Sequence, residues 1–485
     1  MNKRFRALRG IVSFRSILTL LLGSALLIGA PLSTMAEANT VSTKQEIIDL
    51  VVNYHVSGVE MNELDVSSID TIIASLKDPY TQYFSTEEWQ VFMDSLENNY
   101  TGIGIRVGAD DYGFYVVEVF ESTPAAEAGL QEGDYIVAVE GQPTKGKTVE
   151  ELVSSITGIE GTQVNLTTER DERQTEHTLT RRAIHISAIT SRYLESGIGY
   201  IRISSFSSDA DELFSAELDR LHDQGMNSLV IDLRDNPGGL LDSAGNIASR
   251  LLTEGNLIHT RDRSQTETPY PIHSDNPIDI PIYALVNEHS ASASEVLAGA
   301  LQDYDAAQLI GKNTYGKGSV QSLFQLTDGS VLKLTVQEYL TPHKHPVNKV
   351  GLKPDVEVYG NAAQLITAFQ QVEDLDVSVE LTSKGMSING ASFTDSFQVL
   401  REDGRVYVPS RVLAAIVESS TDWDSASRSV MIHAAQRQAL YPVDGEHVKL
   451  TRGVSYIALD HFQHMFDAFA WSDASGVLTL IENGR

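Results

Sequence analysis

A strand-like apolar run, residues 282–286, leads through Asn287, Glu288 and His289 into Ser290-Ala-Ser292-Ala-Ser294-Glu295-Val296 and then a helical pattern. Small side chains let a substrate carbonyl approach the backbone. A serine at a helix start also sits beside unpaired backbone N–H groups and the positive end of the helix dipole, where an oxyanion is stabilised. Taken alone, the serine run is better explained as helix capping. The stretch Thr314-Tyr315-Gly316-Lys317-Gly318-Ser319-Val320-Gln321 changes that balance. A lysine between two glycines can bury its amine against close backbone. Burial disfavours the ammonium and makes a neutral general base available. Ser–Lys is a known variant of the Ser–His–Asp arrangement. Gln321 can accept a hydrogen bond from the amine, provided the chain bends at Gly316 and Gly318, since four extended residues would span about 13 Å. A third element, Val230-Ile-Asp-Leu-Arg234-Asp-Asn-Pro237-Gly238-Gly239, ends a strand in a turn able to aim a glycine N–H at a substrate oxygen. By itself it is only a turn.

These residues need elements to hold them. Residues 185–358 alternate strand and helix: strands at 199–204, 228–233 and 282–286, helices at 209–224, 241–252 and 292–304. That alternation predicts α/β layering. Residues 42–95 read as helical, with a cap at Ser42 or Thr43 and a stop before Pro79. Residues 99–184 shift to short β-like runs, with one helix at 148–156. The tail carries an internal repeat: Gly404, Tyr407, Val408 and Trp423 recur as Gly453, Tyr456, Ile457 and Trp471. Two β-rich units packed as a pair are expected.

The order and spacing of these motifs resemble the carboxy-terminal processing (tail-specific) proteases over roughly residues 44–358. The resemblance rests on Leu233–Gly239, Ser290–Glu295 and Gly316–Gln321, and continues through Leu332–Pro342 and Val350–Asp355. It implies Ser292 as nucleophile, Lys317 as base 25 residues later, Gln321 as its orienting partner, and an oxyanion site from the Ala293 N–H and either Gly238 or Gly239. Tyr100-Thr-Gly102-Ile103-Gly104-Ile105 resembles the carboxylate-binding loop of PDZ domains, and Ser122–Ile136 a second PDZ stretch. The implied role of Gly102, Ile103, Gly104 and Ile105 is to hold a peptide carboxy-terminus while the peptide adds a strand alongside. The likeness departs at Thr157, where the family often has arginine before the helix-end glycine. A hydroxyl makes a weaker tether than a guanidinium fork.

The expected architecture is therefore multidomain α/β. A signal peptide (1–38) and N-terminal helical region (39–98) precede a PDZ domain (99–184), which is inserted before an α/β tail-specific protease core (185–360). A linker (361–379) then leads to two small β-rich repeats (380–485). The repeats resemble copper amine oxidase N-terminal-like domains, without a ligand set that would imply copper. The partners implied are unstructured protein substrates and their carboxy-termini, with homodimerisation through the N-terminal helices. No metal and no cofactor are expected.

Composition narrows the alternatives. The 485 residues include no cysteine, which excludes disulfide frameworks, thiolate metal sites and a cysteine nucleophile. The net charge of −30 argues against nucleic-acid binding. Basic residues from Lys3 to Arg15, an apolar run over 17–30 and Ala36-Glu37-Ala38 form a secretory signal pattern. The remainder is expected outside the cytoplasm, secreted or on the outer face of the membrane, membrane-attached only if that segment stays as an anchor. Gly311–Lys317 mimics a phosphate-binding loop but has Gly318 where a magnesium-binding hydroxyl belongs. His289 adjoins Ser290, yet chain neighbours rarely face each other productively, and no G-x-S-x-G elbow is present.

Overall fold

The computed structural model describes residues 42–482 apart from 98, 110–111, 121, 132, 171–172, 195, 275, 373–376, 383–384, 394, 435–436, 444–445 and 452. The expected signal segment lies outside these residues. Among those described, no helix is long and apolar enough to cross a membrane.

The centre of the molecule is a six-stranded sheet in the order Ile189–Tyr193, Ile198–Ile203, Ser228–Asp232, Ile282–Val286, Gln308–Gly311, Val356–Glu357. The first pair is antiparallel and the others are parallel. Parallel strands joined by helices are buried on both faces, which explains their nearly unbroken apolar runs. Alternate residues divide between two cores. Ile201, Ile231, Ala284 and Leu309 face the helices Ala210–Asp223, Leu241–Leu251 and Ala293–Asp303. Tyr200, Val230, Leu285 and Ile310 face the opposite way.

That second face corrects one expectation. The stretch 361–379, expected as a linker, forms the helix Asn361–Gln370 over most of its described length. Ala362, Leu365, Ile366 and Phe369 fall at helical spacing and are buried in the same core as Val230 and Leu285. The core continues without a break into the C-terminal unit through Val379, Ile388, Val408 and Ile457.

Within that unit the two repeats meet strand to strand. Arg405–Pro409 pairs antiparallel with Val454–Ala458, and Val408 lies directly opposite Ile457, its own repeat equivalent. Ser410 and Ser455 hydroxyls meet beside this point at 2.6 Å. Equivalent residues in register across an antiparallel pair give the unit a local pseudo-twofold axis.

A second sheet positions the lysine. Val331–Leu340 pairs with Ser319–Gln325 and with Glu254–Asp262, which in turn pairs with Glu267–His273. Its edge holds another difference from expectation. Within 42–95, read as helical, Gln82–Phe84 is a strand paired antiparallel with Val331–Lys333. Ile47, Ile48 and Val51 of the helix Thr43–Tyr54 bury against Leu332 and Leu334. The N-terminal region is therefore built into the second sheet.

Residues 105–180 hold a separate antiparallel sheet with its own core of Ile103, Val116, Ile136, Leu152 and Leu166, flanked by a two-stranded ladder of Asn99–Gly102 with Arg182–His185. Helix Val149–Ile156 starts at Thr148, whose hydroxyl and Glu151 cap each other's backbone N–H groups.

Candidate active site

The strands Ser228–Asp232 and Ile282–Val286 are parallel neighbours, with Asp232 opposite Leu285. The segments that follow leave side by side at the carboxyl end of the sheet, where open α/β sheets place their sites. Side chains stitch them together. The Asn287 amide oxygen accepts from the Asp235 N–H (3.0 Å), the Ser290 hydroxyl donates to the Leu233 carbonyl (2.8 Å), and the Ala291 N–H donates to the Asn236 carbonyl (3.0 Å).

This stitching separates the three serines. Ser290 and Ser294 are fully buried and donate to the carbonyls of Leu233 and Asn236. The Ser292 side chain forms a capping box with Glu295, but its hydroxyl donates to no neighbour among the described residues, and Ser292 lines a cavity of about 870 Å³. It stands at the N-cap of the helix Ala293–Asp303 with φ 59° and ψ −115°. A non-glycine residue held at positive φ is strained, and such strain concentrates at functional positions.

The glycine turn is equally specific. A Cβ on Gly238 would lie 2.8 Å from the Ser292 Cβ and 2.9 Å from the Ala293 nitrogen, so the turn packs directly on the serine. The Gly238 N–H is already donated to the Asn236 side-chain oxygen at 2.8 Å. The N–H groups of Gly239 and Ala293 have no partner among the described residues. The geometry thus distinguishes two glycines that the sequence could not.

Lys317 reaches the same cavity from the other sheet. The glycines beside it allow close packing: a Cβ on Gly318 would meet the Asn348 nitrogen at 2.2 Å, and one on Gly316 the Gly351 nitrogen at 3.0 Å. Between Lys317 and Gln321 the strand is bent by a register shift between Val320 and Gln321, and Gly316 at φ 88° turns the chain just before the lysine. The Lys317 amine lies 5.0 Å from the centre of the Tyr80 ring. Burial pushes its pKa below that of an ordinary lysine, while the charges of Glu295 and Asp78 act in the opposite sense. Gln321 is fully buried. Its amide nitrogen donates to the Ser319 hydroxyl (2.9 Å), leaving its oxygen without a partner among the described residues.

Glu295 ties the two sheets together. One carboxylate oxygen accepts from the Ser292 N–H (2.9 Å) and the Lys317 N–H (2.8 Å); the other accepts from the Thr314 hydroxyl (2.6 Å) and the Gly316 N–H (2.7 Å). Burial raises its pKa, against four donors that favour the ionised form. Sequence reasoning missed this clamp, and also Asp78, Tyr80 and Lys333. Asp78 read only as part of a helix stop, and nothing in the pattern marked Tyr80. Lys333 lines the cavity beneath the rings of Phe84 and Phe92, and burial, then the nearby Lys317 charge, brings its pKa down to about 8. A lysine inside the apolar run Val331-Leu-Lys-Leu334 was the signal available for it.

The same cavity extends to Gly102, Ile103, Gly104 and Ile105, with Val153 and Thr157 across from them. Gly104 has φ 86°, and a Cβ there would lie 2.2 Å from Thr123, so this loop requires glycine. The Thr157 hydroxyl is turned to the Val153 carbonyl at 3.0 Å. Arg181 instead caps that helix end, donating to the Ile156 carbonyl at 2.7 Å.

A model of peptidase family S41 matches residues 197–358, and a PDZ domain model matches residues 101–180. A "Probable CtpA-like serine protease" of Staphylococcus aureus (strain MRSA252) is 32% identical over 399 residues, covering 80% of this chain and 75% of that relative. A "Carboxyl-terminal-processing protease" of Synechocystis sp. is 35% identical over 297 residues, covering 60% of this chain and 70% of the relative. Among solved structures, a photosystem II D1 C-terminal processing protease aligns with TM-score 0.46 at 27% identity, covering 65% of this chain and 92% of that one. The chain is a serine-type peptidase with a PDZ domain ahead of its α/β protease core. It belongs to peptidase family S41, among the carboxyl-terminal-processing proteases.

Proposed function

We propose that this chain is a secreted endopeptidase that cleaves unstructured proteins through a Ser292–Lys317 acyl-enzyme mechanism and engages their carboxy-termini through its PDZ groove. The reading is carried by what converges around one cavity: a serine hydroxyl that donates to no neighbour among the described residues, a lysine amine whose pKa burial lowers, and a glutamine oxygen free to accept from it. Neutral Lys317 takes the Ser292 proton as the oxygen attacks the scissile carbonyl. The N–H groups of Gly239 and Ala293 receive the oxyanion, and their fixed placement stabilises charge only as it develops. The lysine then returns its proton to the departing amine, and water, deprotonated by the same lysine, releases the acyl group. The unpartnered Gln321 oxygen is available to accept from the amine as Lys317 turns toward Ser292, which would set its direction. The signal pattern in residues 1–38 supports an extracytoplasmic location, where envelope or signalling proteins are the accessible substrates. Incubating the purified chain with an unfolded protein should yield multiple peptides, and none with Ser292→Ala. Fragments from both preparations would refute the assignment.

The lysine base predicts a pH profile. Only the neutral amine accepts the serine proton, so kcat/KM should be low in acid and rise through the depressed Lys317 pKa, below the range of an ordinary lysine. A rate that falls as the pH is raised through neutrality would contradict this assignment of the base.

The PDZ groove predicts a modest preference for free tails. With Thr157 bonded to Val153, the tail is held by the glycine loop without a guanidinium at that position. The cleavage-rate ratio for free-acid over amidated forms of one substrate should be small, and larger in Thr157→Arg. A large native ratio that the substitution leaves unchanged would show that Thr157 is not the relevant position.

A further inference from the structure

The C-terminal unit reaches the glycine turn through a carboxylate, that of Asp395. Arg234 follows the strand Ser228–Asp232 and opens the turn carrying Gly238 and Gly239. Its guanidinium is 1% exposed, an expensive place for a charge unless every donor is met. Asp232 accepts from Nε at 2.9 Å and from Nη2 at 2.6 Å, and the Asn361 carbonyl accepts from Nη1 at 2.8 Å. Nη2 also donates to Asp395 at 3.1 Å, 161 residues further along the chain. The Asp395 side chain is itself only 6% exposed. The Tyr200 hydroxyl completes the cluster by donating to Asp232 at 2.8 Å.

The segment that supplies Asp395 also touches the cavity. Phe393 stands in its wall, edge-on to Tyr200 with ring centroids 5.2 Å apart, and the Arg192 guanidinium carbon lies 5.8 Å from the Phe393 ring centre. The unit that reads from sequence as an appended pair of repeats therefore shares a core with the protease sheet, walls its cavity and ion-pairs with the root of its glycine turn.

We propose that Asp395 is a positioning residue for peptide hydrolysis: by completing the partners of Arg234 it fixes the turn that presents the Gly239 N–H, making the C-terminal repeats a working part of the peptidase. The inference rests on the oxyanion reading given above. Without Asp395 the guanidinium keeps Asp232 and the Asn361 carbonyl but loses its contact with the C-terminal unit and can tilt about the partners that remain. Its own backbone, the first residue of the turn, tilts with it. Because the oxyanion contact forms only in the transition state, such a displacement lowers kcat and spares KM.

The test uses the full chain and a fluorogenic peptide, with rates expressed per active site titrated by fluorophosphonate labelling of Ser292. Asp395→Ala should lower kcat about tenfold or more, a size typical of misplaced catalytic geometry, with KM nearly unchanged. Asp395→Asn, which retains an acceptor oxygen, should fall between it and wild type. Asp473→Ala, which breaks the exposed Arg401 pair in the same unit, serves as control and should leave kcat per site unaltered. If Asp395→Ala yields no titratable enzyme, Asp395→Asn carries the comparison. An unchanged kcat per site in the Asp395 variants, with activity lost only in step with titratable enzyme, would overturn the proposal and reduce Asp395 to a folding contact. A wild type that cleaves no peptide would overturn it together with the Ser–Lys reading, and is distinguished because it appears before any substitution.

Discussion

Lys317→Ala is expected to lower peptide cleavage by several orders of magnitude, and Ser292→Ala by a similar amount, because single losses from a cooperating catalytic unit remove most of its advantage. Both should leave the fold intact. Lys317 makes no side-chain hydrogen bond among the described residues, and its removal relieves a buried amine of its desolvation cost. Ser290→Ala provides the contrast. It removes the hydroxyl that bridges the Leu233 carbonyl and the Asn287 N–H, so it should destabilise the protein by about 1–3 kcal/mol. Cleavage per folded molecule should nevertheless persist. Gln321→Ala should be milder than Lys317→Ala, since the amide orients and does not react. Comparable cleavage by Ser290→Ala and Ser292→Ala, measured per folded molecule, would remove the basis for choosing the middle serine.

The second large effect is expected at Glu295, which no motif reading singled out. Its two oxygens receive four donors, two from the serine and lysine backbones on one side and two from Thr314 and Gly316 on the other. An amide offers one acceptor oxygen and one NH₂. Whichever way Glu295→Gln turns, its NH₂ must face at least one buried backbone N–H, and the lysine loop loses its register against the helix start. A drop in kcat on the order of 100-fold is expected, the scale at which small misplacements act. The substitution also carries a sign. The Glu295 charge raises the Lys317 pKa, so removing it should move the acid limb of the pH–rate profile to lower pH. A large kcat loss with an unmoved limb would mean that Glu295 acts through geometry alone.

The legible parts of this protein were those written in local pattern. The apolar strand run Ile282–Val286, the helix beginning at Thr148 and the internal repeat of the tail could each be read from local pattern. What was not legible depends on contacts between distant segments. Gln82–Phe84 is a strand because Val331–Lys333 offers an edge. The helix Asn361–Gln370 looked like a linker because its apolar stripe has meaning only against the sheet face it covers. Within the site, the residue types announced Ser292 and Lys317. Choosing between Gly238 and Gly239 required knowing that Asn236 folds back on its own turn. The roles of Glu295 and Asp395 likewise depend on partners 22 and 161 residues away.

The central claim, that Ser292 is acylated with Lys317 as base, is tested most directly by trapping the intermediate. An activated ester substrate mixed with wild type and quenched in acid within milliseconds should add one acyl mass to the protein. Peptide mapping should place it on Ser292. Lys317→Ala should show no such adduct on that timescale. An adduct on Ser290 or Ser294, or one that forms equally fast without Lys317, would contradict the account.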